Sequence, residues 1–225
     1  MEAFAKGSLP PVPLKAVVRH LLRGCRSCSA LLASSFEGLG PARGIEASPE
    51  SSRAYDEALD RTFSTLRFQQ QYHRSEEIRQ RRVAALLEAG GGLQALIDRS
   101  EISLQGLGVL RALLDRSWAV RHENPQEMVE LARFAVRLAG TLNPRWHDEK
   151  DAADWQARAW GELGNALRAR DDLDEAERAF GTAFSFLLQS SGDLRLKARL
   201  HDLHASFLGA RRRFDLAFTA LDIVH

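Results

Sequence analysis

Apolar residues recur every three or four positions along most of this chain, and nowhere do they alternate as strands require. The densest such stretch runs from Trp155 to Phe186, where Trp160, Leu163 and Leu167 mark one helix and Ala176, Phe180 and Ala183 a second. Upstream, Pro125 to Ala135 repeats the second pattern with Met128, Ala132 and Ala135, and 110–121 supplies its partner helix within a longer helical run, 104–121. Downstream, Ala205 and Leu208 fall on one helix and Ala217 and Leu221 on the next, so that Ala176 and Ala217 stand 41 positions apart. The stretch Ser190-Ser-Gly-Asp absorbs much of that length as a connection. Between Arg53 and Glu88, Tyr55, Leu59, Phe63 and Leu66 make one apolar stripe. A polar centre at 69–74 follows, and Val83, Leu86 and Leu87 restore the stripe before Gly90-Gly-Gly92; 93–97 is a short helical piece. The expected fold class is all-α: stacked antiparallel helix pairs over 53–225, preceded by a small helical hairpin over 1–36 and a Gly/Pro/Ser-rich tether over 37–52.

The central stretch has Trp160, Leu163-Gly164 and Leu167 at the spacing Trp-x2-Leu-Gly-x2-Tyr, followed by Ala176-x3-Phe180. Glycine and alanine stand where two helices must approach closely, and large residues fill the gaps beside them. In these residues the chain resembles the tetratricopeptide-repeat proteins, although Leu188 stands where that pattern has a proline. The resemblance implies an α-solenoid whose first helices line a groove that holds an extended peptide. Counted from Trp160, the groove positions are Arg158, Asn165 and Arg168, and in the next unit Arg199, Asp202 and Ser206. The arginines could pair with a partner's carboxylate; the bland alternative is a solvated polar face. Such arrays bury a continuous core only when neighbours stack. The last helix, with Phe214, Leu216, Phe218, Leu221 and Ile223, is therefore expected to be covered by repeats beyond His225 or by a second copy of the chain.

At the N-terminus, 14–23 has helical spacing with Pro13 at a first-turn position, and Gly24 stops the helix. Cys25-Arg-Ser-Cys28 follows at once, and 29–36 reads as a second short helix, so His20, Cys25 and Cys28 converge on one helix junction. One imidazole from a last turn and two thiolates opening the next helix supply three corners of a zinc tetrahedron. Arg23, Arg26 and the second helix dipole would favour the thiolate form. The alternative is a hairpin with two buried thiols, since free Cys behaves as a compact hydrophobe. The segment from Gly7 to Cys28 resembles the zinc-binding anti-sigma domain of bacteria, whose members hold a sigma factor inactive. That resemblance implies His20, Cys25 and Cys28 as metal ligands, with Glu2 the one carboxylate upstream and water or a partner completing the shell.

Composition narrows the function classes. With 225 residues, 44% hydrophobic and 27% charged, the chain can bury a real core. Its formal charge of +1 exerts no global pull on nucleic acid or anionic membrane. Of its 31 basic residues four are Lys and the rest Arg, a bias that points to a GC-rich genome. No apolar run reaches the roughly 20 residues that span a bilayer, and Pro10, Pro11 and Pro13 interrupt any signal-peptide core. Two cysteines without a disulfide framework place the protein in the cytoplasm.

Other constellations have simpler readings. His201 and His204 lie one turn apart where the repeat places packing residues, which makes them a half-buried pair. Asp148, Asp151 and Asp154 suit a helix N-terminus, beside the mixed-charge His147 and Lys150. Arg211-Arg-Arg213 reads as a solvated turn, and His122-Glu123 lacks a zincin's second His. There is no phosphate loop, nucleophile elbow or dinucleotide fingerprint, and no βαβ context for a redox Cys-x2-Cys. The expected function is that of a non-enzymatic regulatory or adaptor protein that binds a protein partner through its repeats, a sigma factor being one candidate. Alternatives are a plain scaffold with a structural hairpin and a zinc-thiol redox sensor.

Overall fold

The computed structural model describes residues 2–5, 8–23, 25–33, 49–98 and 104–222. Among these, every regular element is helical: α1 (Glu2–Ala5), α2 (Pro11–Leu22), α3 (Arg26–Ala33), α4 (Pro49–Leu86), a π turn (Leu87–Gly91), α5 (Gly92–Ile97), α6 (Leu107–Ala119), α7 (Pro125–Ala139), α8 (Glu149–Ala169), α9 (Leu173–Leu187), α10 (Leu194–Ala210) and α11 (Phe214–Asp222). The fold class is all-α. No helix is long and apolar enough to cross a membrane among the described residues.

Two compact units result, Met1–His73 and Arg74–His225. Their boundary lies inside α4 rather than at the stretch 37–52 that was expected to be a tether; 37–48 lie outside the described residues, and 49–52 are helical. The first turns of α4 belong with the hairpin because charges match at helical spacing. Lys15 and Arg19 on successive turns of α2, and Arg23 just past its end, meet Asp56 and Asp60 on successive turns of α4. Arg19 bridges both carboxylates, Arg23 reaches Asp56 at 3.4 Å, and Lys15 pairs with Asp60. Among the described residues of the same unit the buried apolar ones are Leu32 and Phe63.

The second unit holds one large apolar cluster running from Val83 to Ala220. Its first junction joins the end of α4 to α6. Buried Glu76 accepts a hydrogen bond from the Gly108 amide at 2.6 Å and pairs with Arg79, which donates to the Gln105 carbonyl at 3.2 Å. A Cβ on Gly108 would stand 2.2 Å from the Glu76 carbonyl oxygen, so only glycine permits the crossing. The helix expected over 104–121 begins later, at Leu107, because Gly106 at φ 97° is its cap.

From α6 onward each helix packs on the next and α8 touches both α6 and α10. Asn124 caps α7 by accepting from the Glu127 amide, with Pro125 in the first turn. Asp148 caps α8 and Asp193 caps α10 in the same way. Between α8 and α9, Asp171 takes φ 69° and the Asp172 amide reaches back to the Leu167 carbonyl at 2.9 Å. Forty-one positions later Arg212 takes φ 58° and the Arg213 amide reaches the Leu208 carbonyl, again at 2.9 Å. The two left-handed turns are one structural device used twice, a chain reversal closing orphan carbonyls at a helix end. Arg211 and Arg213, expected to be solvated, instead pair with Asp174 and Glu177 on α9 and tie the second turn down.

Candidate functional site

Two sites can be built from the residues upward. The first lies at the α2–α3 junction. His20 is exposed in the last turn of α2, Cys25 precedes α3 and Cys28 lies in its first turn. His20 Nε2 stands 3.2 Å from Cys28 Sγ, and one donor atom from each of the three residues falls within 4.8 Å of the others. In a tetrahedral zinc site, with metal–ligand bonds of about 2.0–2.3 Å, neighbouring donors lie ~3.5–3.8 Å apart. The three side chains therefore fit a metal with only small adjustment. Among the described residues no fourth His, Cys, Asp or Glu joins them.

The electrostatics of the pair come from the helix start. The Cys25 sulfur accepts from the backbone amide of Cys28 and from its thiol, and this pushes the Cys25 thiol down. Cys28, sharing the Cys25 sulfur, is pushed up. Arg23, expected to favour the thiolate, is turned to Asp56 instead.

The second site is a cleft of about 620 Å³ along α6, α8, α10 and the connection before α10. On α8 the residues facing it are Asp151, Asp154, Trp155, Arg158 and Glu162, one stripe at helical spacing. Leu114, Asp115 and Trp118 come from α6; Asp193 precedes α10, which supplies Arg195, Leu196 and Arg199. Arg199 is fixed from two sides. It donates to Glu162 at 3.0 and 3.3 Å, and its guanidinium lies 4.2 Å from the Trp118 ring centroid. A cation over an indole face adds about 0.5–2 kcal/mol, more as water is excluded. Trp155 is likewise flanked by Arg111 at 5.1 Å and Arg158 at 5.5 Å. Arg158 Nε is buried and has no hydrogen-bond partner among the described residues.

Of the six residues expected in a groove, the cleft brings together Arg158 and Arg199. Asn165 is on the same stripe of α8 but only 2% exposed, and its oxygen accepts two hydrogen bonds from Arg168 at 2.9 and 3.1 Å. Both residues are thereby used up on each other, outside the cleft. Asp202 and Ser206 lie one and two turns beyond Arg199, exposed and also outside it. Asp154 is not a cap: its carboxylate accepts from the Ser191 amide and hydroxyl, fastening the 188–193 connection to α8. Asp151 does lie at the helix start, paired with His147.

The residues that pattern reading missed are the two tryptophans and the ring of carboxylates. One signal was in the chain: Trp155, Arg158 and Glu162 are spaced i, i+3, i+7, and Arg111, Leu114 and Trp118 have the same spacing on α6. No family model, characterised protein or solved structure matches this chain. Function is therefore read from the two sites themselves.

Proposed function

We propose that this chain is a non-enzymatic regulatory or adaptor protein that seats a segment of a protein partner in the α6–α8–α10 cleft, as tetratricopeptide repeats do. The observation that carries this reading is the cleft's construction. A row of first helices presents two tryptophans, arginines set over their rings and several carboxylates to one cleft, a lining suited to side chains and peptide backbone together. The turn repeated at Asp171 and Arg212 supports a repeat architecture for that row.

In the same reading the His20–Cys25–Cys28 hairpin binds zinc, as the resemblance to anti-sigma domains implies, and a sigma factor is a candidate partner. Two thiolates and an imidazole are a donor set that prefers zinc over hard cations. Zinc there would cross-link α2 to α3 and hold the hairpin closed. A redox-sensor reading draws on the same cluster, since oxidation of paired thiolates ejects metal; a plain scaffold would leave it without a regulatory role.

The test is site-specific photo-crosslinking in cells. A photoreactive residue at position 158 should capture a protein, whereas one at Arg178 on α9, outside the cleft, should not. Equal capture at both positions, or none at 158, would overturn the proposal.

A further inference from the structure

We infer that the segment held in the cleft is basic, an extended stretch of protein presenting a lysine or arginine side chain to Asp115 and Asp154. This rests on the cleft being a peptide site and goes on to name the chemistry of its occupant.

The cleft holds five carboxylates against three guanidiniums, although the chain as a whole carries +1. Its negative balance is thus local and not a reflection of an acidic protein. What matters more is which charges are already answered. Arg199 gives its donors to Glu162 and its face to Trp118, so a ligand carboxylate would have to break an existing pair to reach it. Arg168, outside the cleft, is bound to Asn165. Within the cleft Arg158 lies over Trp155, and neither it nor Arg195 has a carboxylate partner among the described residues, but the aspartates without a cation, Asp115, Asp154 and Asp193, outnumber these two.

The carboxylates are differently placed. Asp115 accepts only from the neutral Gln80 amide at 3.0 Å, and Asp154 only from Ser191. Asp193 caps α10 through the Arg195 amide. None of these three has a cationic partner among the described residues. Their neighbours Leu114, Leu196, Trp118 and Trp155 are low-dielectric walls that concentrate the field in the cleft. A cation entering would meet carboxylates whose existing hydrogen bonds it need not displace. An acidic segment or nucleic acid would meet a lining whose net charge is negative.

The full chain should be titrated with two short fluorescein-labelled peptides of equal length, one with Arg and Lys at alternate positions and one with Glu in their place. Fluorescence anisotropy should show binding of the basic peptide, weakening with salt. Asp115→Asn should weaken it up to about 5-fold, the upper end of what one exposed charge pair contributes. Asp115 is exposed, so this variant should fold normally. Glu88→Gln, an exposed carboxylate away from the cleft, should leave affinity unchanged.

An equal loss with Glu88→Gln would mean diffuse attraction only and overturn the inference. Tighter binding of the Glu peptide would overturn it too, while leaving the cleft as a peptide site. If neither peptide binds and position 158 captures nothing in cells, the inference and the peptide-site reading fall together.

Discussion

Gly164 of α8 lies directly beneath the ring of Phe180 on α9, so that a Cβ at position 164 would stand 2.9–3.0 Å from three of its ring carbons. Phe180 is itself only 1% exposed and packs on Phe207 at 5.4 Å, which leaves it nowhere to go. Gly161, one turn earlier on α8, makes the corresponding approach to α10, where a Cβ would meet Leu200 at 2.1 Å. The two glycines set the distances at which α8 crosses its neighbours.

Gly164→Ala should therefore destabilise the chain. Overpacking costs about 1–3 kcal/mol, and the better helix propensity of alanine returns about 1 kcal/mol. A net loss of up to roughly 2 kcal/mol is expected in urea unfolding followed by circular dichroism. Gly181 on α9 is the internal control, since a Cβ there meets nothing within 4 Å. Gly181→Ala should stabilise by about 0.5–1 kcal/mol; the same sign for both variants would refute the packing described.

Acid should weaken the second unit through His201 and His204. His204 lies among Phe180, Phe184 and Phe207 with ring centroids 5.1–5.8 Å apart, and His201 packs on Phe184 at 5.2 Å. His201 Nδ1 is buried without a hydrogen-bond partner among the described residues. Burial first, and then Lys197, hold the His201 imidazolium form down; for His204 burial leads, His201 adds to it and Glu177 opposes. A histidine whose folded pKa is depressed contributes stability that is complete above its unfolded value of about 6.5. That stability is lost as pH falls below this value, because the unfolded chain takes up protons the folded chain resists. The urea midpoint should drop between neutral and mildly acidic pH, and His201→Gln/His204→Gln should flatten the dependence. An unchanged slope in the double variant would remove the explanation.

Zinc content is directly measurable. Protein purified without chelator should return about one zinc per chain, and Cys25→Ser or Cys28→Ser should abolish it. His20→Ala should weaken retention against a competing chelator. Full metal content in the Cys28→Ser variant, or a metal-free wild type that retains the α2–α3 junction by amide exchange, would exclude the assignment.

Much of this protein is fixed by its sequence. The 3.6-residue period of its apolar positions dictates helices, and Gly164, Ala176 and Phe180 announce a close helix pair because no larger residue fits between them. His20, Cys25 and Cys28 are brought together by local chain geometry alone, across one helix end and one turn of the next. Periodicity names the face a side chain occupies but not its depth. Asn165 and Arg158 share a stripe of α8, yet one is sealed against Arg168 and the other lines a cleft. Tertiary structure alone decided which charges meet. Arg199 finds Glu162 and Trp118, Arg211 finds Asp174, and Arg19 finds Asp56, all across tens of residues. Such pairings depend on how helices lie beside one another, and free charges within the cleft are what remains once those partners have been chosen.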